Sequence, residues 1–253
     1  MDRIDLNSDL GEGFGIWRMG EDEALLDLVS SASIACGFHA GDPMIMQATV
    51  AAAARRGVGI GAHPSFADLQ GFGRRMIPHQ PDELAALTLY QIGALQAFAS
   101  AAGTRVRHVK AHGAMAHAVD QNIDLAQAFT RAIHGADREL ILLVMPGGEL
   151  ERAALAAGLR VAREVFADRG YDARGKLLRR GVPGALVTNP AEAAERALRM
   201  VAEQALFPDG GGRLPTRIDS VCVHGDTPGA VRVAEAVRAR LEKAGIVVTP
   251  FTG

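Results

Sequence analysis

The sequence predicts an α/β fold built on parallel strands, and three observations carry that prediction. Short β-like apolar runs alternate with amphipathic helical stretches from one end to the other, the pattern of successive βα units. The helical stretches open and close on capping residues. Histidines and acidic residues recur just past the β-like runs, where parallel α/β folds build their active sites. At 253 residues with no interdomain linker in its composition, the chain reads as one domain over residues 1–253, a length common among single α/β barrels.

In order, the β-like runs are residues 3–7, 33–36, 58–62, 106–110, 140–145, 161–166, 220–223 and 246–248, which gives seven or eight strands. Between them, Asp42 and Pro43 open a helix that Gly57 closes, because Asp accepts from free N–H groups and Pro fits the first turn. Pro81, Asp82 and Glu83 open a second helix that Gly103 ends. Asn189 with Pro190 opens another, and Thr227 with Pro228 opens the last, closed by Gly245. Residues 208–217, with three consecutive glycines, read as a surface loop.

Composition narrows the class. With 48% hydrophobic and 22% charged residues the chain buries a large core, and a net charge of -2 steers no nucleic acid. Aromatic residues are only 5%, so the core is Ala, Val, Leu and Ile, which suits strand and helix layers. Cys36 and Cys222 both sit in apolar runs, which excludes a disulfide framework and points to a reduced compartment. The N-terminus lacks a secretory pattern, and no uninterrupted apolar run is long enough to span a bilayer; the expectation is a cytoplasmic protein without a membrane partner.

The chemistry collects at strand ends. Asn7, Asp9 and Glu12 follow the first run, His39 and Asp42 the second, His63 and Asp68 the third, Lys110 and His112 the fourth, Asp168 and Arg169 the sixth, and His224 and Asp226 the seventh. The two-residue period puts His108, Lys110 and His112 on one strand face and points Glu164 the same way as Asp168. Some of these have plainer roles: Asp42 and Asp226 read as helix caps, and His108 as a buried structural histidine. His79, His117 and His134 have no convergent partners and receive no role.

The glycine-rich GEGFG segment lacks both phosphate-cradling patterns, G-x-G-x-x-G and G-x-x-x-x-G-K-[ST]. Residues 63–75, HPSFADLQGFGRR, join glycine hinges to Arg74 and Arg75, a pair suited to a substrate carboxylate or simply to solvent. Asp9, His39 and His63 are ligand types arriving from three strands, so they are the candidates for a divalent metal, although no compact ligand motif accompanies them.

The blocks DLNSDLGEGFG, SASIACGFHAGDP, GAHPSFADLQGFGRR, EVFADRGY and VCVHGDTPGAV together resemble the LamB/YcsF family, whose members are 5-oxoprolinase components of the A type, across residues 5–231. The resemblance implies a distorted TIM-like β/α barrel of seven strands, related to polysaccharide deacetylases. It also implies a role, with partner subunits B and C, in the ATP-dependent opening of 5-oxoproline (pyroglutamate) to L-glutamate. Carried over by motif, the functional positions are Asp9, Glu12, His39, His63, Lys110, His112, Glu164, Asp168, Arg169 and His224. Two departures stand out: Ser8 occupies a position where many relatives carry Cys, and VKAHGAMAH replaces a pattern close to VKPHGALYN, so Ala116 and His117 stand for Tyr and Asn. Two other readings of the same residues stay open: a metal-dependent deacetylase or amidohydrolase acting alone, and a non-catalytic substrate-binding component.

Overall fold

The computed structural model describes residues 2–251. In chain order the elements are β1 (Arg3–Leu10), α1 (Asp22–Leu26), β2 (Ser31–Ala35), α2 (Pro43–Arg55), β3 (Gly59–His63), α3 (Pro81–Ala101), β4 (Val106–Val109), α4 (Gly113–Gln121) and α5 (Ile123–Ala136). Then follow β5 (Ile141–Val144), α6 (Glu149–Ala156), β6 (Arg160–Phe166), α7 (Pro190–Glu203), β7 (Ala205–Leu206), β8 (Leu214–Pro215), β9 (Ser220–Cys222), α8 (Ala230–Lys243) and β10 (Val247–Val248). Parallel pairing runs β1-β2-β3-β4-β5-β6-β9 and returns from β9 to β1, so seven strands close a barrel.

The eighth predicted strand, β10, does not enter this wall. It pairs with the first residues of β1, Arg3 and Ile4, below the stretch Asp5 to Asn7 that pairs with β9. Phe251, just beyond it, packs against Ile141, Leu143, Ala162 and the His108 ring, closing the lower end of the barrel. His108 is fully buried there and hydrogen-bonds Ser33 Oγ at 3.2 Å, the structural role expected of it. Its ring fills the space left by Gly61, where the β3–β4 register shifts.

Helix starts follow the capping chemistry. Asp42 Oδ1 accepts from Met44 N at 2.8 Å and Ile45 N at 3.0 Å, worth about 1 kcal/mol for such a cap. Asn189 does the same for α7, and Gln80 with Glu83 forms a capping box on α3. Two expectations need correction. The last helix begins at Ala230 after Gly229, so Asp226 caps nothing and instead pairs with Arg74 and Arg180. Residues 208–217 contain β8, which joins β7 in a two-stranded antiparallel ladder.

α3 is long and apolar enough by composition to cross a membrane, although Thr88, Gln91, Gln96 and Ser100 interrupt its apolar residues. Its packing explains that composition: it lies on α5 and buries Leu84, Thr88, Gln91, Ile92, Leu95 and Ala99, with Gln91 bonded to both backbone groups of Ser65. Both cysteines are free and buried, as expected.

Candidate active site

The barrel interior is polar from its middle to its upper mouth, because inward positions alternate along each parallel strand. Asp5 lies lowest, accepting from Ser30 Oγ at 2.7 Å and Ser31 Oγ at 2.6 Å, with Ser220 on its other oxygen. Above it Asn7 donates to Glu164 Oε1 at 2.9 Å and Ser220 Oγ at 2.8 Å. Next, Lys110 sits 2.8 Å from Glu164 and 2.9 Å from Asp9. Burial opposes the charge on Lys110, but Asp9 and Glu164 outweigh it and hold the ammonium well above its usual range. For Asp9, burial is likewise overcome, by His63 and Lys110, and the carboxyl lies well below the usual carboxylate range. Cys222 Sγ is 3.2 Å from Lys110 Nζ, and burial keeps that thiol protonated.

The mouth opens into a cavity of about 450 Å³ lined by Asp9, His63, Lys110, His112, Glu164 and His224 among others. On one wall His224 Nδ1 lies 3.0 Å from both Asp168 oxygens, and its ring stacks on Phe166. Burial works against the Asp168 charge, but His224 and Arg169 more than offset it and depress its pKa. The carboxylate therefore fixes which nitrogen of His224 carries the proton and leaves Nε2 for other partners. On the opposite wall Glu12, His39, His63 and His112 converge, their ligand atoms all within 4.8 Å of one another. Of the predicted metal candidates, His39 and His63 lie in this cluster with Glu12 and His112, a group compatible with a divalent metal, while Asp9 pairs with Lys110 through Oδ1 and stands 3.5 Å from His63 Nε2 through Oδ2.

The predicted arginines separate. Arg74 lines the cavity and bonds Asp226 at 2.5 Å, whereas Arg75 is exposed, bonded to Asp68 and absent from the cavity wall. Adjacent side chains on a turn leave in different directions, and Asp68, which also accepts from Gly71 N, captures the second. Arg169 lines the cavity, but its guanidinium donates to Ala185 O at 3.0 Å and Leu178 O at 2.6 Å, bracing residues 170–188 across the mouth.

Sequence reasoning missed several cavity residues. His117 and Asp120 on α4 line it, as do Arg179 and Arg180 from the segment that Arg169 braces. The paired arginines of that segment, flanked by glycines at 175, 181 and 184, are the same signal as Arg74 and Arg75 and could have been read likewise. Asp5, Ser31 and Ser220 carry no motif, and only barrel closure unites them.

Residues 4–253 match the family model described as LamB/YcsF family. The chain is 52% identical over 251 residues to a protein of Azorhizobium caulinodans named as the A component of 5-oxoprolinase, covering 99% of both chains. It is also similar to a solved structure, the lactam utilization protein of Thermus thermophilus, at TM-score 0.94 and 45% identity, over 98% of this chain and 100% of that one. A family 4 carbohydrate esterase from Streptomyces lividans shares the fold alone, at TM-score 0.50 and 12% identity over 99% of this chain and 93% of that one. The seven-stranded barrel, its polar mouth and these full-length matches together establish that the chain belongs to the LamB/YcsF family.

Proposed function

We propose that the chain is the A component of an ATP-dependent 5-oxoprolinase, a cyclic-amide hydrolase that acts in the cytoplasm with subunits B and C. The observation that carries this reading is the cavity itself. A charged lysine, a histidine oriented by a carboxylate and two mouth arginines surround a space with ample room for a small anionic lactam.

A five-membered lactam is a stabilised amide, so its carbonyl must be made more electrophilic and its nitrogen protonated as it leaves. ATP transfers its terminal phosphoryl group to the lactam oxygen, releasing ADP. Water adds to the activated carbon, the ring C–N bond breaks as the nitrogen takes a proton, and a second water releases phosphate and L-glutamate. In this scheme Arg74 and Arg180 hold the substrate carboxylate, since one Asp226 between them leaves net positive charge at the mouth. Lys110 stabilises negative charge developing on the carbonyl oxygen. His224, held through Nδ1 by Asp168, moves the proton from water to the leaving nitrogen. Arg169 acts as a brace for the segment over the mouth rather than as a charge donor.

The test is reconstitution: the chain is mixed with candidate partner subunits, 5-oxoproline and ATP, and glutamate and ADP are measured with each component omitted. Stoichiometric glutamate and ADP that require every component support the reading; glutamate formed by this chain without ATP overturns it. The second reading, a metal-dependent amidohydrolase acting alone, is favoured by the cluster of Glu12, His39, His63 and His112. It predicts ATP-independent activity abolished by chelation.

A further inference from the structure

The hydrogen bonds around His63 and His112 fix where their protons are. His63 Nδ1 lies 2.8 Å from Lys110 O, and a carbonyl only accepts, so Nδ1 carries the hydrogen. His112 Nε2 lies 2.8 Å from Phe72 O, so there the hydrogen is on Nε2. In the neutral rings the remaining nitrogens, His63 Nε2 and His112 Nδ1, are bare lone pairs, and they stand only 3.0 Å apart. Acceptors surround that gap. Glu12 Oε1 is 3.5 Å from His112 Nδ1 and 3.2 Å from His39 Nε2, and Asp9 Oδ2 is 3.5 Å from His63 Nε2. Imidazole nitrogens and carboxylate oxygens converging on one buried space form a ready donor set for a cation.

The backbone is arranged to hold this geometry. Phe72 has φ 54, a left-handed conformation costly for a side chain of its size, and its carbonyl is the one that pins His112. Next to it Gly73, also left-handed, packs so closely that a Cβ there would strike Ser65 Oγ, His39 Cβ and His112 Cδ2. Ring nitrogens oriented by carbonyl acceptors on their far side are the usual arrangement behind metal-binding histidines.

We propose that Glu12, His63 and His112, with His39 as the fourth donor, hold a divalent transition-metal ion of the zinc class that is resident in this chain. Three imidazoles and one carboxylate suit zinc, cobalt or nickel and not magnesium, so this ion is separate from any magnesium that accompanies a nucleotide. His63 and His112 both line the cavity, so the ion borders the space where substrate sits. The inference holds whether or not the lactam reading does, because its test measures the ion and not turnover.

In the experiment, the full chain is stripped by dialysis against a chelator and titrated with Co²⁺. One ion per chain, visible absorption bands of a nitrogen- and oxygen-ligated site, and a raised melting temperature are expected, with Zn²⁺ displacing the colour. Glu12→Gln keeps the side-chain shape and should weaken binding at least tenfold, while His134→Asn, far from the cluster in sequence and on α5, should bind as the parent does. A folded parent chain, verified by circular dichroism, that takes up no Co²⁺ overturns the proposal without any variant. Uptake that Glu12→Gln leaves unchanged overturns it too, since the ion then sits elsewhere.

Discussion

Lys110 bridges Asp9 and Glu164, two buried carboxylates on strands β1 and β6 whose charges it offsets inside the barrel. Its first role is therefore cohesive. Lys110→Met should cost about 3–5 kcal/mol in urea denaturation, because it strands buried charge. Adding Glu164→Gln should recover part of that loss.

Asp168→Asn tests the histidine dyad. The amide keeps the volume but presents an N–H or a weaker acceptor to His224 Nδ1, so the ring loses its preferred tautomer and the stabilisation of its charged form. Glutamate formation by the reconstituted assembly should fall on the order of 10²- to 10⁴-fold. Melting temperature should move little by comparison.

Asp5 gives a pH signature. Burial raises its pKa from 3.8 to about 6 despite hydrogen bonds from Ser220, Ser31 and Ser30. A raised folded-state pKa means the native chain holds the proton more tightly than the unfolded chain. The contribution is complete below pH 3.8 and is lost as pH rises through about 6. Asp5→Asn mimics the protonated acid, so its stability relative to the parent should rise over that interval, by up to about 3 kcal/mol. Denaturation at pH 4, 5, 6 and 7 checks this; a constant difference between the two proteins would refute it.

Arg74 and Arg75 are adjacent in sequence but not in function. Arg74→Gln removes a cation from the cavity and should raise KM for the lactam at least tenfold, about 1.4 kcal/mol. Arg75→Gln acts on an exposed side chain bonded to Asp68 and should leave KM within about twofold, since it touches no cavity atom. Steady-state kinetics of the two variants decides.

Gly61→Ala places a Cβ inside the His108 ring position. Overpacking of this kind costs about 1–3 kcal/mol, and combining it with His108→Ala should give back part of the loss as a favourable coupling. Thermal melts of the two single variants and the double variant measure that coupling.

The βα alternation, the helix starts at Asp42, Pro81 and Asn189, and a rim populated by Asp9, His39, His63, Lys110, His112, Asp168 and His224 are all legible in the order of residues along the chain. Those features are local: caps act within one turn, and strand-end chemistry follows from the order of elements along a parallel sheet. Which residues touch depends on barrel closure. Pairing β9 with β1 brings Ser220 to Asp5, and pairing β6 with β9 sets Glu164 beside it, contacts spanning 215 and 157 positions for Ser220–Asp5 and Asn7–Glu164. The same closure set Asp9 between Lys110 and His63, turned Asp226 from a cap into a partner for two arginines, and drew Arg179 and Arg180 into the cavity wall. Local pattern specifies the direction in which a residue leaves its element; the tilt and stagger needed to close seven strands decide what it meets.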